Sequence, residues 1–210
     1  MTTRYATEQE QFWAGEFGDA YIGRNQADLL LASNINLFSK ALSATQNISS
    51  CLEFGANIGL NLRALVALYP QMQRHAIEIN AQAVAELTKA IGAENISHCS
   101  IHDYAPQRQF DLVLIKGVLI HINPESLSSV YDKLHASTGR YILVCEYYNP
   151  TPVSIDYRGH KDRLFKRDFA GEMLDRFPDL VLRDYGFIYR RDPKFPQDDG
   201  TWFLLERLPA

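Results

Sequence analysis

Apolar residues return along this chain with two different periods, and the periods alternate. Leu31, Ile35, Phe38 and Leu42 recur at helical spacing. Ser50 to Phe54 is then an apolar run of strand length. Ile58, Leu62, Leu65, Val66 and Tyr69 are helical again, and Pro70 stops them. His75 to Ile79 predicts a second strand. Asn80 is placed to cap a helix that carries Val84, Leu87 and Ile91 and ends at Gly92. Asn95 to Ile101 predicts a weaker third strand. Phe110 to Ile115 is nearly all apolar, as expected of a central parallel strand buried on both faces. Asn123-Pro124 gives a cap and a first-turn proline for a helix through Leu127, Val130, Tyr131 and Leu134. Tyr141 to Glu146 predicts a fifth strand.

The two ends of the chain depart from this alternation. Thr7 and Glu10 form a capping-box pattern, which predicts a short helix bearing Phe12 and Trp13. The stretch Gly15 to Asp19 is expected to break it, and a second helix is expected from near Asn25. Toward the C-terminus, Asp168 caps a helix with Phe169, Met173 and Phe177. Leu180 to Arg190 and Thr201 to Arg207 are strand-like, and the loop between them is too short for a crossover helix. The pattern therefore predicts an α/β fold. It is a doubly wound, mostly parallel seven-stranded sheet with N-terminal helices and a C-terminal antiparallel hairpin. The expected organisation is one domain over 1–210. Within it lie an N-terminal helical cap over 1–45 and a polar, aromatic insertion over 147–168.

Composition narrows the setting. Hydrophobic residues at 46% and charged residues at 22% are those of a globular chain with a packed core. A net charge of −4 gives no argument for a nucleic-acid partner. No apolar run approaches the roughly 20 residues of a membrane span, so no membrane partner is expected. The polar, acidic N-terminus lacks the order of a secretory leader. Cys51, Cys99 and Cys145 are odd in number and far apart, which reads as reduced thiols in a cytoplasmic protein. The six histidines are scattered, and no metal is expected.

The segment Leu52-Glu53-Phe54-Gly55-Ala56-Asn57-Ile58-Gly59-Leu60 leaves the first strand and enters a helix. In open α/β sheets ligands sit beyond the carboxyl ends of the strands, where this turn falls. Gly55 and Gly59 let a backbone approach a ligand closely, and the helix start offers free N–H groups. A nicotinamide dinucleotide favours G-x-G-x-x-G, whose later glycine places here hold Asn57 and Leu60. The turn resembles the acidic-x-G-x-G-x-G motif of class I methyltransferases. Glu53 takes the acidic place, Gly55 and Gly59 the first and third glycine places, and Asn57 replaces the middle glycine. That resemblance implies S-adenosyl-L-methionine as cofactor and S-adenosyl-L-homocysteine as product. Glu78, at the end of the second strand, is chemically suited to accept hydrogen bonds from ribose hydroxyls. The resemblance further implies Asp103 on the adenine amino group, with Tyr104 or His102 near the ring. Tyr21, Arg24, Asn25 and Lys116 are candidates for the amino-acid end of the cofactor.

Longer segments resemble a bacterial group, the pseudaminic acid biosynthesis-associated methylases. They are residues 11–21 (Gln-Phe-Trp-Ala-Gly-Glu-Phe-Gly-Asp-Ala-Tyr), 116–124 (Lys-Gly-Val-Leu-Ile-His-Ile-Asn-Pro) and 146–152 (Glu-Tyr-Tyr-Asn-Pro-Thr-Pro). Tyr157 to His160, Leu164 to Asp168 and Asp198 to Phe203 fit as well. The resemblance implies a small-molecule methyltransferase, with a nonulosonic sugar or its precursor among the acceptors.

Methyl transfer to a hydroxyl needs a base, whereas a carboxylate or neutral amine can attack directly. His121, after the fourth strand, is a candidate base; the alternative is a structural histidine bonded to a backbone carbonyl. Glu146, ending the fifth strand, is either a base or a residue satisfying loop amides. Tyr147, Asn149, Tyr157, Arg158, His160 and Arg163 in the insertion are candidates to hold the acceptor, as a lid over the site; the alternative is a solvated loop. Two other functions stay open at this point: a protein that binds the cofactor without turnover, and a nucleotide-dependent oxidoreductase.

Overall fold

The computed structural model describes residues 5–23 and 27–209. Helix α1, Glu8–Ala14, starts on the expected capping box, in which Thr7 and Glu10 bond each other's backbone N–H. The expected break after it is one residue long. Gly15 is extended, and α2 follows at once over Glu16–Ile22, with Glu16 and Asp19 in its first turn where the helix dipole favours acids. Helix α3 covers Ala27–Ala41; its expected start at Asn25 lies outside the described residues.

Strand β1, Ser50–Phe54, leads into α4, Leu60–Leu68. Strand β2, Gln73–Glu78, leads into α5, Ala81–Ile91, capped by the Asn80 side chain on the Ala83 N–H. Strand β3 is only Ile96–His98, shorter than expected. The chain turns at once beyond it, with the N–H groups of Asp103 and Tyr104 bonded to the Ser100 carbonyl. Strand β4, Phe110–Lys116, is followed by 3-10 turns at Leu119–His121 and Pro124–Ser126 before α6, Leu127–Ser137. Strand β5 runs from Thr138 to Glu146. The 147–168 stretch, read as a loop, contains a hairpin of β6, Val153–Tyr157, and β7, His160–Lys166. β6 alternates Val153, Ile155 and Tyr157 with polar residues, yet is exposed along most of its length. Helix α7, Phe169–Arg176, and strands β8, Leu180–Ile188, and β9, Gly200–Arg207, complete the described chain.

The seven-stranded sheet has the order β3-β2-β1-β4-β5-β9-β8. Pairing is parallel from β3 through β5, and β9 is antiparallel to both β5 and β8. Alternate residues feed two cores. Leu112 and Leu114 of β4 pack with Phe38, Leu62, Leu65 and Leu87 of α3, α4 and α5. Val113 and Ile115 pack with Leu127, Val130, Leu134 and Phe169 of α6 and α7. The chain moves outward from β1 to β3 and then returns to β4 on the other side of β1. That reversal opens a crevice beyond the carboxyl ends of β1 and β4.

Leu114 is fully buried in the central strand. We expect Leu114→Ala to lower stability by about 2–5 kcal/mol in urea unfolding; a loss below about 1 kcal/mol contradicts this packing.

Candidate active site

A cavity of about 470 Å³ occupies the crevice, with Gly55 and Asn57, Glu78, Lys116, His121 and Glu146 on its walls. The β1–α4 turn forms its floor. Gly55 lies at φ +73°, and a Cβ there would stand 2.7 Å from Cγ2 of Val118. Asn57 adopts φ +49°, the left-handed conformation that asparagine tolerates better than most residues, so it can take a glycine's place. Gly59, at φ +80°, is away from the cavity; a Cβ there would stand 2.6 Å from Cδ1 of Leu87, so its role is to let α4 pack against α5.

Glu78 binds two loops together. Its Oε2 accepts the Asn57 N–H at 2.6 Å and its Oε1 accepts the Asn80 N–H at 2.8 Å. Burial pushes this carboxyl above the usual range, and the backbone donors pull the other way. Each oxygen keeps a lone pair, and the residue faces the cavity. Glu53 lies beneath, fully buried and off the cavity wall. It takes 2.6 Å from Asn61 Nδ2, and burial pushes its carboxyl to about 8.

Beyond β3 the structure rearranges the expected adenine side. Asp103 is exposed and Tyr104 packs edge-on against Phe54, and neither lines the cavity. Ser100 and His102 line it instead. The Ser100 hydroxyl donates to Glu10 Oε1 and accepts the His102 N–H at 3.0 Å, and His102 Nε2 is buried without a partner. Glu10 and Ser100 were not among the sequence candidates; the serine two places before His102 was the available signal.

The helical cap covers the cavity from outside, with Trp13 and Tyr21 on its wall. Asn80 Nδ2 holds the cap by donating to Asp19 Oδ1 at 2.8 Å and to the Trp13 carbonyl at 3.3 Å. Of the other candidates for the amino-acid end of the cofactor, Lys116 is on the wall, while Arg24 and Asn25 lie outside the described residues.

Six residues after β4 were expected to act on the acceptor, besides His121 and Glu146. Tyr147, Tyr157 and Arg158 reach the wall; Asn149, His160 and Arg163 do not. Asn149 folds onto the Thr151 carbonyl at 2.5 Å. His160 packs against Phe12, with centroids 5.0 Å apart, and Arg163 reaches Glu8 at 3.0 Å beside the Phe12 ring. These two therefore dock the hairpin on α1. The Arg163 carbonyl also fixes His121, whose Nδ1–H donates to it at 2.5 Å. His121 packs against the rings of Trp13 and Tyr157, at 4.6 and 5.0 Å. Burial holds its imidazole down at about 4, so it is neutral near pH 7. Glu146 Oε1 accepts the N–H groups of Val118 and Leu119, each at 2.9 Å, whereas Oε2 is buried without a partner. Burial pushes Glu146 up to about 7.

Residues 52–139 match the model of a family described as a methyltransferase domain. The chain has the Rossmann-like methyltransferase fold. The methyltransferase fold is shared at 13% identity with magnesium protoporphyrin IX methyltransferase from Synechocystis, a structure with bound SAM, at TM-score 0.66, covering 98% of this chain and 100% of that one. It is shared at 13% identity with 1,6-didemethyltoxoflavin-N1-methyltransferase from Burkholderia thailandensis, with bound 1,6-didemethyltoxoflavin and S-adenosylhomocysteine, at TM-score 0.69, covering 100% and 94%. A S-adenosylmethionine-dependent methyltransferase from Clostridium acetobutylicum is similar at 11% identity and TM-score 0.65, covering 92% and 98%. None of the curated proteins matches the sequence. No helix among the described residues is long and apolar enough to cross a membrane.

The raised carboxyl at Glu53 makes a stability prediction. Its folded value of about 8 lies above the ordinary 4.5, so the folded chain holds a proton that the unfolded chain has released. Its contribution is full below about pH 4.5 and is lost as pH rises through about 8. We expect the Glu53 contribution to stability to fall from about pH 5 to 8 and Glu53→Gln to flatten that fall. Denaturant unfolding across this window checks it; an equal slope in the variant contradicts it.

Proposed function

We propose that this protein is an S-adenosyl-L-methionine-dependent methyltransferase acting on a small polar acceptor. The observation that carries the reading is the joining of the Gly55–Asn57 turn to Glu78 at the floor of a cavity of about 470 Å³. That volume lies within the roughly 300–1,000 Å³ of small-ligand sites. The donor set suits an adenosyl compound. Gly55 lets the turn lie against Val118 on the cavity wall, where a Cβ would clash. Asn57 Oδ1 and His102 Nε2 are buried without partners on the same wall, and the free lone pairs of Glu78 suit vicinal ribose hydroxyls. Glu78 would hold the ribose, Asn57 and His102 the adenine side, and Tyr21 and Lys116 the amino-acid end.

When bound, the cofactor supplies a methyl group on a positively charged sulfur. The chain's own residues chiefly align the acceptor and exclude water. Trp13, Tyr147 and Tyr157 wall the acceptor side, and His121 Nε2 is free to hold or take a proton there. Arg158, exposed at the rim, offers a guanidinium to an anionic group of the acceptor. This agrees with the resemblance to pseudaminic acid biosynthesis-associated methylases, and we take a nonulosonic sugar or its precursor as the acceptor class to test first. The free thiols of Cys51, Cys99 and Cys145 fit a reducing cytoplasm as its setting.

Calorimetry with S-adenosyl-L-homocysteine tests the cofactor site. Glu78→Gln keeps one oxygen for the loop amides and turns the other acceptor into a donor. We expect it to weaken binding by about 1–3 kcal/mol. An unchanged dissociation constant rejects the role of Glu78, and no binding by the unaltered protein rejects the function.

A further inference from the structure

Two atoms of residues on the cavity wall can accept a hydrogen bond and have no donor among the described residues. The first is His121 Nε2. Nδ1 of that ring faces the Arg163 carbonyl at 2.5 Å, and a carbonyl only accepts, so Nδ1 must carry the proton and Nε2 the lone pair. Trp13 and Tyr157, which also touch each other, pack against the ring and restrict its rotation. The second is Glu146 Oε2. Its sister oxygen is fixed by the N–H groups of Val118 and Leu119, which holds the carboxylate plane in place.

Among the described residues, the cations on the cavity wall are Lys116 and the exposed Arg158. Lys116 acts electrostatically on both Glu53 and Glu146. Arg163 is turned out to Glu8, and Arg158 is exposed at the rim beside the Tyr157 ring. An incoming carboxylate would face the His121 lone pair across aromatic walls, with Lys116 already shared between Glu53 and Glu146. A protonated amine would be drawn to Glu146 but would arrive with its own lone pair blocked. A hydroxyl satisfies both constraints, because it donates a hydrogen bond and keeps a nucleophilic lone pair.

We propose, resting on the methyltransferase reading above, that the acceptor presents a hydroxyl to His121 Nε2, with Glu146 Oε2 taking a second O–H, so that the product is a methyl ether. In the step, a lone pair of the hydroxyl oxygen forms the new O–C bond. The C–S bond of the sulfonium donor breaks with its electron pair left on sulfur. The hydroxyl proton passes to His121 Nε2 and then to water. His121 is thereby a catalytic residue, and Arg163 a positioning residue that sets its tautomer through the hairpin backbone.

The test is nitrogen NMR on protein labelled at histidine nitrogens, saturated with S-adenosyl-L-homocysteine, with His121→Gln to assign the signal. Phenol and benzoate serve as probes, since they share a ring that suits the aromatic walls and differ in hydroxyl against carboxylate. We expect Nε2 to read as a bare nitrogen, phenol to shift it toward a hydrogen-bonded position, and benzoate to leave it in place. We also expect Glu146→Gln to weaken phenol binding several-fold. A proton found on Nε2, no shift with phenol, an equal shift with benzoate, or unchanged phenol affinity in the variant overturns the proposal. Repeating the titration without S-adenosyl-L-homocysteine separates the two readings. A phenol contact at His121 in a protein that binds no S-adenosyl-L-homocysteine supports the hydroxyl site and overturns only the cofactor assignment.

Discussion

The carboxylate of Glu78 accepts the amide protons of Asn57 and Asn80, and this pair of hydrogen bonds sets how far apart two loops stand. One loop leaves β1 and the other leaves β2, on adjacent strands of the sheet. The group is buried, which pushes its carboxyl upward, and these donors, with the Ile79 N–H, oppose that push. Asn80 passes the constraint on. Its N–H is held by Glu78, its Oδ1 caps α5, and its Nδ2 holds Asp19 and the Trp13 carbonyl of the cap. Floor, wall and roof of the cavity therefore share one polar chain of contacts. Losing Glu78 would loosen all three, which is why its worth exceeds that of a single ligand contact.

The acceptor side is built from a second set of couplings. The hairpin of β6 and β7 is tied to α1 by Arg163 on Glu8, by Gln9 on the Asp162 carbonyl and by His160 on Phe12. The same hairpin presents the carbonyl that orients His121. Cap and hairpin thus act on one imidazole from two sides. Glu146 braces the loop that carries His121 by holding the Val118 and Leu119 amides. The reactive geometry is distributed over parts of the chain far apart in sequence, and no local motif encodes it.

That distribution explains what was legible beforehand. The sheet was readable because each strand is an apolar run between caps and breakers, as at Phe110–Lys116 and Asn80. The β1–α4 turn and Glu78 were readable because backbone chemistry demands small or left-handed residues and an acid at fixed places. The short second helix was hidden by the two glycines at 15 and 18, which look like a break. The hairpin was overlooked because β6 is short and mostly exposed, although Val153, Ile155 and Tyr157 alternate with polar residues. Asp103 and Tyr104 were misplaced because β3 stops at His98 and the chain turns early, which brings Ser100 and His102 to the cavity. Arg163 and His160 looked like ligands for an anion; only tertiary contact reveals them as struts to α1.

A crystal structure grown with S-adenosyl-L-homocysteine tests the central claim most directly. The account requires electron density for that molecule above the Gly55–Asn57 turn, with its ribose hydroxyls on the Glu78 carboxylate and its sulfur facing the His121 side. Density elsewhere, or a saturated crystal in which Glu78 touches only Asn57 and Asn80, contradicts it.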